Sequence, residues 1–513
     1  MQDVQTSSKE EKKILQQSTF YSFSIYFRMF FKLIGGVIIA KFLGPALYGV
    51  RNAFQLAIDY ETYSEMGTFS AMAREVPYSR GEKNKEKANH IVSSVFGINL
   101  VYAITVGIVL VLVSFYMRSI NWDETYVDFV FFLGLIIITN KLRKFYSYKL
   151  VIDKKVFLLS RAEIIYGFSS TVFCVALVFY LNFRGVLIGL FIADHLYIGY
   201  ILLNEKKFPA IRVSFPLIRE MLRIGFPMMV VVFLLTMLRS ADRLIIIAML
   251  TEEDLGYFGI AAVAIGIIIT IPLAVNDVIM PRLMEKLGKT KNFQQIKNYL
   301  IEPTILMAYF LPFLLAILYL SIHIPINYFL TQYIPSIDIV KILTLGLFFS
   351  AVYVMPISIC YAMNKQIKII YIVLPSVVFN FAINYVFIRS GWGVNGVALG
   401  SGITNFVFTS AITWFAFRQF QTKLSEIVKY FLIVYVPFVY TLFLVLIIDN
   451  LNFNFHGLGN DIIITLVKMG LFSILYSLIF LLIRKHSALT KLVNNVPFLH
   501  SLFGKAKRRF STT

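Results

Sequence analysis

The chain has 513 residues, of which 58% are hydrophobic and 15% are charged, and its mean hydropathy is +0.75. This usage is too apolar for an ordinary soluble globular protein, so lipid is the expected solvent for most of the chain. The formal net charge is +20, but the basic residues concentrate in alternate loops, which indicates membrane topology and not nucleic acid as a partner.

Apolar runs long enough to cross about 30 Å of hydrocarbon recur along the whole sequence. They predict an all-α polytopic membrane protein with about fourteen transmembrane helices. No Ala-x-Ala type cleavage site accompanies the first run, so the first helix is expected to remain in the mature protein. The predicted spans lie near 18–40, 46–75, 90–115, 126–146, 156–181, 184–204, 221–250, 255–281, 300–322, 336–362, 366–389, 393–417, 427–449 and 461–484.

The second predicted span is unusual because it is rich in charge. Arg51, Asp59, Glu61, Glu65 and Arg74 lie in it or beside it. Only a helix that faces protein or water can hold so many charged side chains.

Short loops rich in Lys and Arg remain cytoplasmic, and such loops alternate along this chain. Both termini are therefore predicted to be cytoplasmic, as an even number of helices requires. The opposite loops contain Lys41, Arg118, Arg184 and Arg389 and an acidic run at 252–254. The basic side comprises Lys9, Lys12 and Lys13; Arg80, Lys83, Lys85 and Lys87; Lys141, Arg143, Lys144, Lys149, Lys154 and Lys155; Lys206, Lys207, Arg212 and Arg219; Arg282, Lys286, Lys289, Lys291 and Lys297; Lys365 and Lys368; Arg418 and Lys423; and Lys505, Lys507, Arg508 and Arg509.

An internal repeat with a period of roughly 210 residues is predicted from three landmarks. Chance matching of Gly-rich turns is the alternative explanation. The repeat divides the chain into two pseudo-symmetric six-helix bundles around a central cavity, with two further C-terminal helices. The landmark pairs are the turns at 43–49 and 251–259, Arg74 and Arg282, and Gly185-Val186 and Gly393-Val394.

The resulting division of the chain has six segments. The predicted segments are a cytoplasmic N-terminal tail (1–17), an N-terminal six-helix bundle (18–204), a cytoplasmic linker (205–220), a C-terminal six-helix bundle (221–417), two additional transmembrane helices (418–484) and a basic cytoplasmic tail (485–513).

Basic side chains inside the spans are the strongest indication of a site. An ionisable group near the centre of the bilayer costs about 2.5 to 3.5 kcal/mol on insertion scales, so it usually faces a cavity or a partner. Arg28 and Lys32 have i, i+4 spacing on the first helix, and Arg239 and Arg243 repeat that spacing on the seventh. Together with Arg51 they predict a cationic cavity for an anionic substrate, for which guanidinium is well shaped.

Buried acids offer a competing explanation for the same cations. Arg51 or Lys32 could pair with Asp59, and Arg243 could pair with Asp242. Asp59 and Asp194 could alternatively bind a coupling cation or relay protons. The sequence does not choose among these alternatives.

Enzymatic chemistry has no visible site in the sequence. Gly288-Lys289-Thr290 resembles the end of a phosphate-binding loop, but Leu283 occupies the place of its first glycine. There is no His-Glu-x-x-His or Gly-x-Ser-x-Gly motif and no long extracytoplasmic loop. Cys174 and Cys360 fall inside apolar runs. No catalytic residue, metal site or cofactor is predicted.

The Leu43-Gly44-Pro45-x-x-Tyr48-Gly49 turn after a basic first helix, with Arg74 ending helix two and the six-plus-six-plus-two plan, resembles one transporter group. It is the polysaccharide-transport branch of the multidrug, oligosaccharidyl-lipid and polysaccharide exporter superfamily, which includes the Wzx-type flippases. The resemblance covers the whole chain in plan and rests on short, degenerate motifs.

The resemblance implies a flippase in the bacterial cytoplasmic membrane that moves an undecaprenyl-diphosphate-linked oligosaccharide to the outer leaflet by alternating access. Arg28, Lys32, Arg239 and Arg243, with Arg51, would then hold the diphosphate. The implied partners are the lipid-linked anionic glycan and membrane lipids, with a polysaccharide polymerase of the same pathway as a further candidate.

Three rival functions remain at this point. A lipid II or sporulation-type flippase of the same superfamily shares every feature described. A cation-coupled multidrug exporter shares the plan, but acids would suit its cationic substrates better than basic side chains do. A membrane polymerase or ligase would need a large outer loop with catalytic residues, and none is visible.

Overall fold

The computed structural model describes residues 2–205, 208–290, 292–451 and 457–483. Within these ranges the regular elements are helical, which confirms the predicted all-α class. Helices suit apolar sequences in lipid because they satisfy every backbone polar group within one segment. The helices are α1 (Gln2–Glu61), α2 (Thr68–Gly81), α3 (Lys85–Ser119), α4 (Glu124–Ile152), α5 (Val156–Glu205), α6 (Phe215–Met249), α7 (Glu252–Thr290), α8 (Lys297–Ser321), α9 (His323–Phe329), α10 (Ser336–Val352), α11 (Val354–Ala362), α12 (Gln366–Arg389), α13 (Gly393–Gln419), α14 (Leu424–Asp449) and α15 (Leu458–Ile483).

Fourteen membrane crossings can be traced in the described ranges. Eleven helical stretches are long and apolar enough to cross a membrane, and α7, bent by 43° between Gly266 and Ile268, makes a twelfth. Because one crossing needs about 20 residues, the much longer α1 and α5 each supply two. Their interruptions lie at Gly44 (φ 71°) and Asn182 (φ 48°). The two extra crossings raise the number to fourteen, as predicted.

One compact unit comprises Met1–Arg243 and Leu250–Gly259. In this first unit α1 packs along α5, α4 packs on α3 and α5, and α2 packs on α3. Small residues permit the closest helix approaches. A Cβ atom at Gly167 of α5 would lie 2.8 Å from the Cα atom of Arg28, so this glycine lets α1 and α5 touch beside a predicted site residue.

The second compact unit comprises Leu244–Met249 and Ile260–Thr513. In it α13 packs on α10 and α12, and α8 packs on α10, α14 and α15. The Tyr476 hydroxyl of α15 donates a hydrogen bond to the carbonyl oxygen of Tyr309 on α8, at 2.7 Å. The two additional C-terminal helices are therefore packed into this unit.

Two turns of the same form lie one predicted repeat apart, and turns of this form also end α2, α3, α12 and α13. The turn between α4 and α5 and the turn between α11 and α12 each contain a residue in the left-handed region, Lys154 (φ 57°) and Asn364 (φ 55°). In both turns the next amide closes the same hydrogen bond, from Lys155 N to Leu150 O and from Lys365 N to Cys360 O, each at 2.8 Å. This pattern ends helices in a Schellman motif. The two turns lie 210 positions apart.

Several basic residues of the predicted cytoplasmic side lie within a long helix. Helix α4 continues to Ile152, whereas the predicted span ended at 146. Lys141, Arg143 and Lys144 lie inside this helix, as they did inside the predicted span 126–146, and their place on the cytoplasmic side stays a prediction. Their charge is tolerated there because acidic side chains of neighbouring helices pair with it, as described below.

The structure describes the chain from residue 2, but it does not describe the residues after 483. Helix α1 begins at Gln2, inside the segment predicted as an N-terminal tail. The predicted basic tail at 485–513 lies outside the described residues. The cytoplasmic location of both termini stays a prediction.

Candidate functional site

Basic side chains converge around Lys32 in the first unit. The charges of Arg51, Arg28 and Arg243 act repulsively on the Lys32 ammonium, and the charge of Asp59 acts attractively. Residues 28 and 32 precede the kink of α1, residues 51 and 59 follow it, and Arg243 comes from α6. These five residues are called the Lys32 cluster below.

Positive charge is in excess in the Lys32 cluster. The Lys32 side chain is exposed, and the guanidinium carbon of Arg51 lies 5.5 Å from the ring centre of Tyr48. Among the residues that the structure describes, neither Lys32 nor Arg51 forms an ion pair. Asp59 accepts a hydrogen bond from the Gln55 amide nitrogen, at 3.0 Å. The pairing of Lys32 or Arg51 with Asp59, considered from the sequence, is therefore not a direct contact.

Hydroxyl contacts hold α6 beside the last turn of α1 in the first unit. The Tyr60 and Ser240 hydroxyl oxygens lie 2.6 Å apart, and Tyr63 is hydrogen-bonded to Thr236. Farther along, a Cβ atom at Gly67 would lie 2.2 Å from the Gly225 carbonyl oxygen, so only glycine permits this approach. These contacts position Arg243 in the Lys32 cluster.

Arg28 differs from the other cations of the cluster because it has an acidic partner. Its guanidinium forms an ion pair and hydrogen bond with Glu163 of α5, which is largely buried. Glu163 was not identified from the sequence. Its distance of 135 positions from Arg28 left no local spacing that could have indicated the pair.

Arg239 lies one turn before Arg243 on α6, and its side chain is exposed. The structure thus brings together four of the five predicted substrate-binding cations. The fifth, Arg239, lies on α6 with Arg243.

A second group of charged residues surrounds α4 and is balanced. The Lys141 ammonium lies 3.0 Å from a carboxylate oxygen of Glu61, with both side chains nearly inaccessible at 2% and 6% exposure. The Lys144 ammonium lies 3.7 Å from a carboxylate oxygen of Glu65. Because each cation has an acid beside it, this group has no excess charge for a substrate.

Asp194, a predicted ion-coupling residue, belongs to the balanced group. Its carboxylate lies 3.3 Å from the Arg143 guanidinium and accepts a hydrogen bond from the Thr139 hydroxyl, at 3.0 Å. The same guanidinium stacks 4.1 Å from the ring centre of Tyr166. Asp194 and Asp59 therefore have different surroundings: Asp194 is ion-paired and buried, whereas Asp59 is the acidic member of the Lys32 cluster.

The balanced group could have been suggested by spacing alone. Glu61 and Glu65 are four positions apart in one predicted span, and Lys141 and Lys144 are three apart in another, so each pair is expected on one face of a predicted helix. Two neighbouring helices with faces of opposite charge are expected to pair. Lys141 and Lys144 were used only to predict membrane orientation, so this pairing was not recognised.

The described residues contain no group of three or more His, Cys, Asp or Glu side chains that could hold a metal ion. Chemically, the first unit therefore offers two environments: a balanced group of ion pairs, and a cluster with surplus positive charge. Guanidinium and ammonium groups in such a cluster attract phosphate oxygens, which accept charge-assisted hydrogen bonds.

Comparison with known proteins places this fold in context. Residues 38–332, more than half of the chain, match the model of a family described as polysaccharide biosynthesis protein. No curated protein sequence matches significantly.

Solved structures share the fold at low sequence identity. The lipid II flippase MurJ, in an inward closed conformation, aligns with a TM-score of 0.65 and 16% identity over 90% of this chain and 99% of that chain. An inward-facing MATE family multidrug resistance transporter of the MOP superfamily aligns with a TM-score of 0.60 and 13% identity over 78% and 96%. A MOP superfamily transporter from Pyrococcus furiosus, described as having a binding pocket of reversed polarity, aligns with a TM-score of 0.54 and 14% identity. That alignment covers 79% of this chain and 95% of that chain.

Proposed function

This chain belongs to the polysaccharide biosynthesis protein family, and we propose that it is a flippase for an undecaprenyl-diphosphate-linked oligosaccharide. The observation that carries the proposal is the surplus positive charge of the Lys32 cluster. In a setting from which lipid excludes water, such a surplus is stabilised when an anion enters. The proposed site is therefore for the diphosphate.

The substrate's chemistry fits the cluster. A diphosphate presents several anionic oxygens to a guanidinium, which can bind two of them at once, and to an ammonium, which acts as a point charge. We assign Lys32, Arg51 and Arg243 to diphosphate binding, with Arg239 as a further contact from the same face of α6. Glu163 neutralises Arg28 until the phosphate competes for it.

Translocation of this kind needs no covalent step. The lipid-linked glycan binds from the cytoplasmic side of the bacterial cytoplasmic membrane, the carrier changes conformation by alternating access, and the glycan leaves on the outer side. The chain would then be a transporter and not an enzyme. Asp59, the acidic member of the cluster, is the better placed of the two predicted coupling residues, because Asp194 is held by Arg143.

Complementation tests the proposal. A strain that lacks this protein should accumulate lipid-linked oligosaccharide in the cytoplasmic leaflet, and the wild-type gene should relieve the accumulation. Arg51→Ala should fail, and Arg51→Lys should restore part of the activity because charge remains without the planar geometry. Arg161→Ala, which removes an exposed arginine of α5 in the same unit, is the control. Wild-type export by a normally expressed Arg51→Ala protein would contradict the proposed site.

A lipid II type substrate is the second candidate, because the fold of this chain also occurs in the lipid II flippase MurJ. Both substrates have a lipid diphosphate, so the Lys32 cluster suits either. Cell-wall precursor accumulation with intact surface polysaccharide in the deletion strain would select lipid II. A cation-coupled drug exporter is disfavoured, because surplus positive charge repels cationic drugs.

A further inference from the structure

The break between α1 and α2 lies beside the balanced group. Helix α1 ends at Glu61, a tight turn follows at Thr62–Glu65, and α2 begins at Thr68. Met66 (φ 50°) and Gly67 (φ 83°) turn the chain through the left-handed region. The last carbonyl oxygens of a helix have no partner within the helix, and they form the negative end of its dipole.

Two lysines of α4 occupy the end of this broken helix. The Lys144 ammonium donates to the Thr62 carbonyl oxygen at 2.9 Å, and the Lys141 ammonium donates to the Glu61 carbonyl oxygen at 3.4 Å. Each ammonium also faces a carboxylate of the same segment, Glu65 or Glu61. Both ammonium groups therefore lie among backbone and carboxylate oxygens.

Such surroundings suit a small monovalent cation. Unwound carbonyls and the C-terminal ends of half-helices coordinate Na⁺ or protons in secondary transporters. Carboxylate and carbonyl oxygens are the ligands that hard cations prefer. The charge on each lysine is the charge that one alkali cation would supply.

We propose that the break at residues 62–67 is a monovalent-cation site that the protein fills with its own Lys144 ammonium. Lys144 makes the shorter carbonyl contact and is the more accessible of the two lysines, with 21% of its side chain exposed. Lys141 is fixed by its closer carboxylate and completes the charge balance. A free alkali cation is excluded while Lys144 is present, and Na⁺ enters when the ammonium is removed.

Thermal unfolding of the purified protein tests the site without any transported substrate. The wild-type protein gives the reference difference in Tm between sodium chloride and N-methylglucamine chloride at equal ionic strength, which includes any coupling cation bound at another site. Lys144→Ala should have a lower Tm in N-methylglucamine, and Na⁺ should raise it saturably by about 3 °C or more. Lys149→Ala is the matched control, because Lys149 lies on the same helix and contacts carboxylates of Asp153 and Glu205. It should respond to Na⁺ as the wild type does.

Each outcome decides the proposal. A Na⁺ response of Lys144→Ala that is no larger than the response of the wild type would overturn it. If the alanine variant does not fold, Lys144→Met keeps the apolar stem and should require Na⁺ for full stability. If neither variant folds in either salt, the result contradicts the proposal, because the proposal requires Na⁺ to replace the missing ammonium and restore folding. Since no glycan is involved, these results are independent of the proposed flippase activity.

Discussion

The two compact units use the same turns but fill their helices with different polar chemistry. Lys154 and Asn364 occupy equivalent places in turns 210 positions apart. At that offset Lys141 and Lys144 of the first unit correspond to Ala351 and Val354 of the second. The backbone differs there as well, because α10 ends at Val352 and α11 begins at Val354, whereas α4 is one continuous helix.

Polar contacts of the second unit include hydrogen bonds between neutral side chains as well as ion pairs, such as that of Lys341 with Asp449 at 2.7 Å. The Asn384 amide donates to the Asn380 side-chain oxygen at 2.9 Å, and Ser358 donates to Asn276 at 2.6 Å. Replacing buried ion pairs with apolar residues is often neutral or stabilising, so the fold does not need the charges of the first unit. We infer that those charges are retained for function.

Breaking a buried pair of the first unit should have the largest effect. Lys141→Ala leaves the Glu61 carboxylate buried without its partner, and loss of one partner of such a pair typically costs about 3–5 kcal/mol. Thermal unfolding in detergent measures this. The double variant Lys141→Met with Glu61→Gln should recover most of the stability. An unchanged Tm in Lys141→Ala would show that the ion pair is not formed.

The corresponding change in the second unit should be smaller. Asn384→Ala removes a buried hydrogen bond between neutral groups, for which about 1 kcal/mol is expected. Thermal unfolding in detergent compares the stability lost by Asn384→Ala with the stability lost by Lys141→Ala. A loss equal to that of Lys141→Ala would remove the proposed distinction between the units.

Much of this architecture could be predicted from the sequence, because membrane helices are encoded by long apolar runs and the repeat by its turns. The Lys32 cluster could be anticipated from the i, i+4 spacing of charged residues inside apolar runs. The partner of Arg28 could not, since Glu163 approaches only through the packing of α5 on α1 at Gly167. The pairing of Lys141 with Glu61 was not predicted, because Lys141 lies near the end of its predicted span and was interpreted as a basic residue of the cytoplasmic side.

The smallest predicted effect concerns pH at the end of α4 in the first unit. Burial raises the pKa of Asp153, but hydrogen bonds from Lys149 and Arg80 outweigh it and lower the pKa below its usual range. A depressed carboxyl pKa gives stability that is complete above the ordinary aspartate value of about 3.9 and is lost as pH falls through the lower folded value. For such a peripheral pair less than about 1 kcal/mol is expected.

Acid titration of the Tm measures this contribution. The wild type should lose more stability than Asp153→Asn as pH falls below about 4, since asparagine has no proton to bind. Parallel titration curves would show that Asp153 has no stabilising charge interaction in the folded protein.

Direct binding of undecaprenyl diphosphate to the purified protein tests the central claim that the Lys32 cluster holds the lipid diphosphate. Lys32→Ala should weaken binding by about tenfold or more, the loss expected for one charge-assisted contact. Lys368→Ala, which removes an exposed lysine of the second unit, should bind as the wild type does. Equal affinities for wild type and a folded Lys32→Ala protein would contradict the claim.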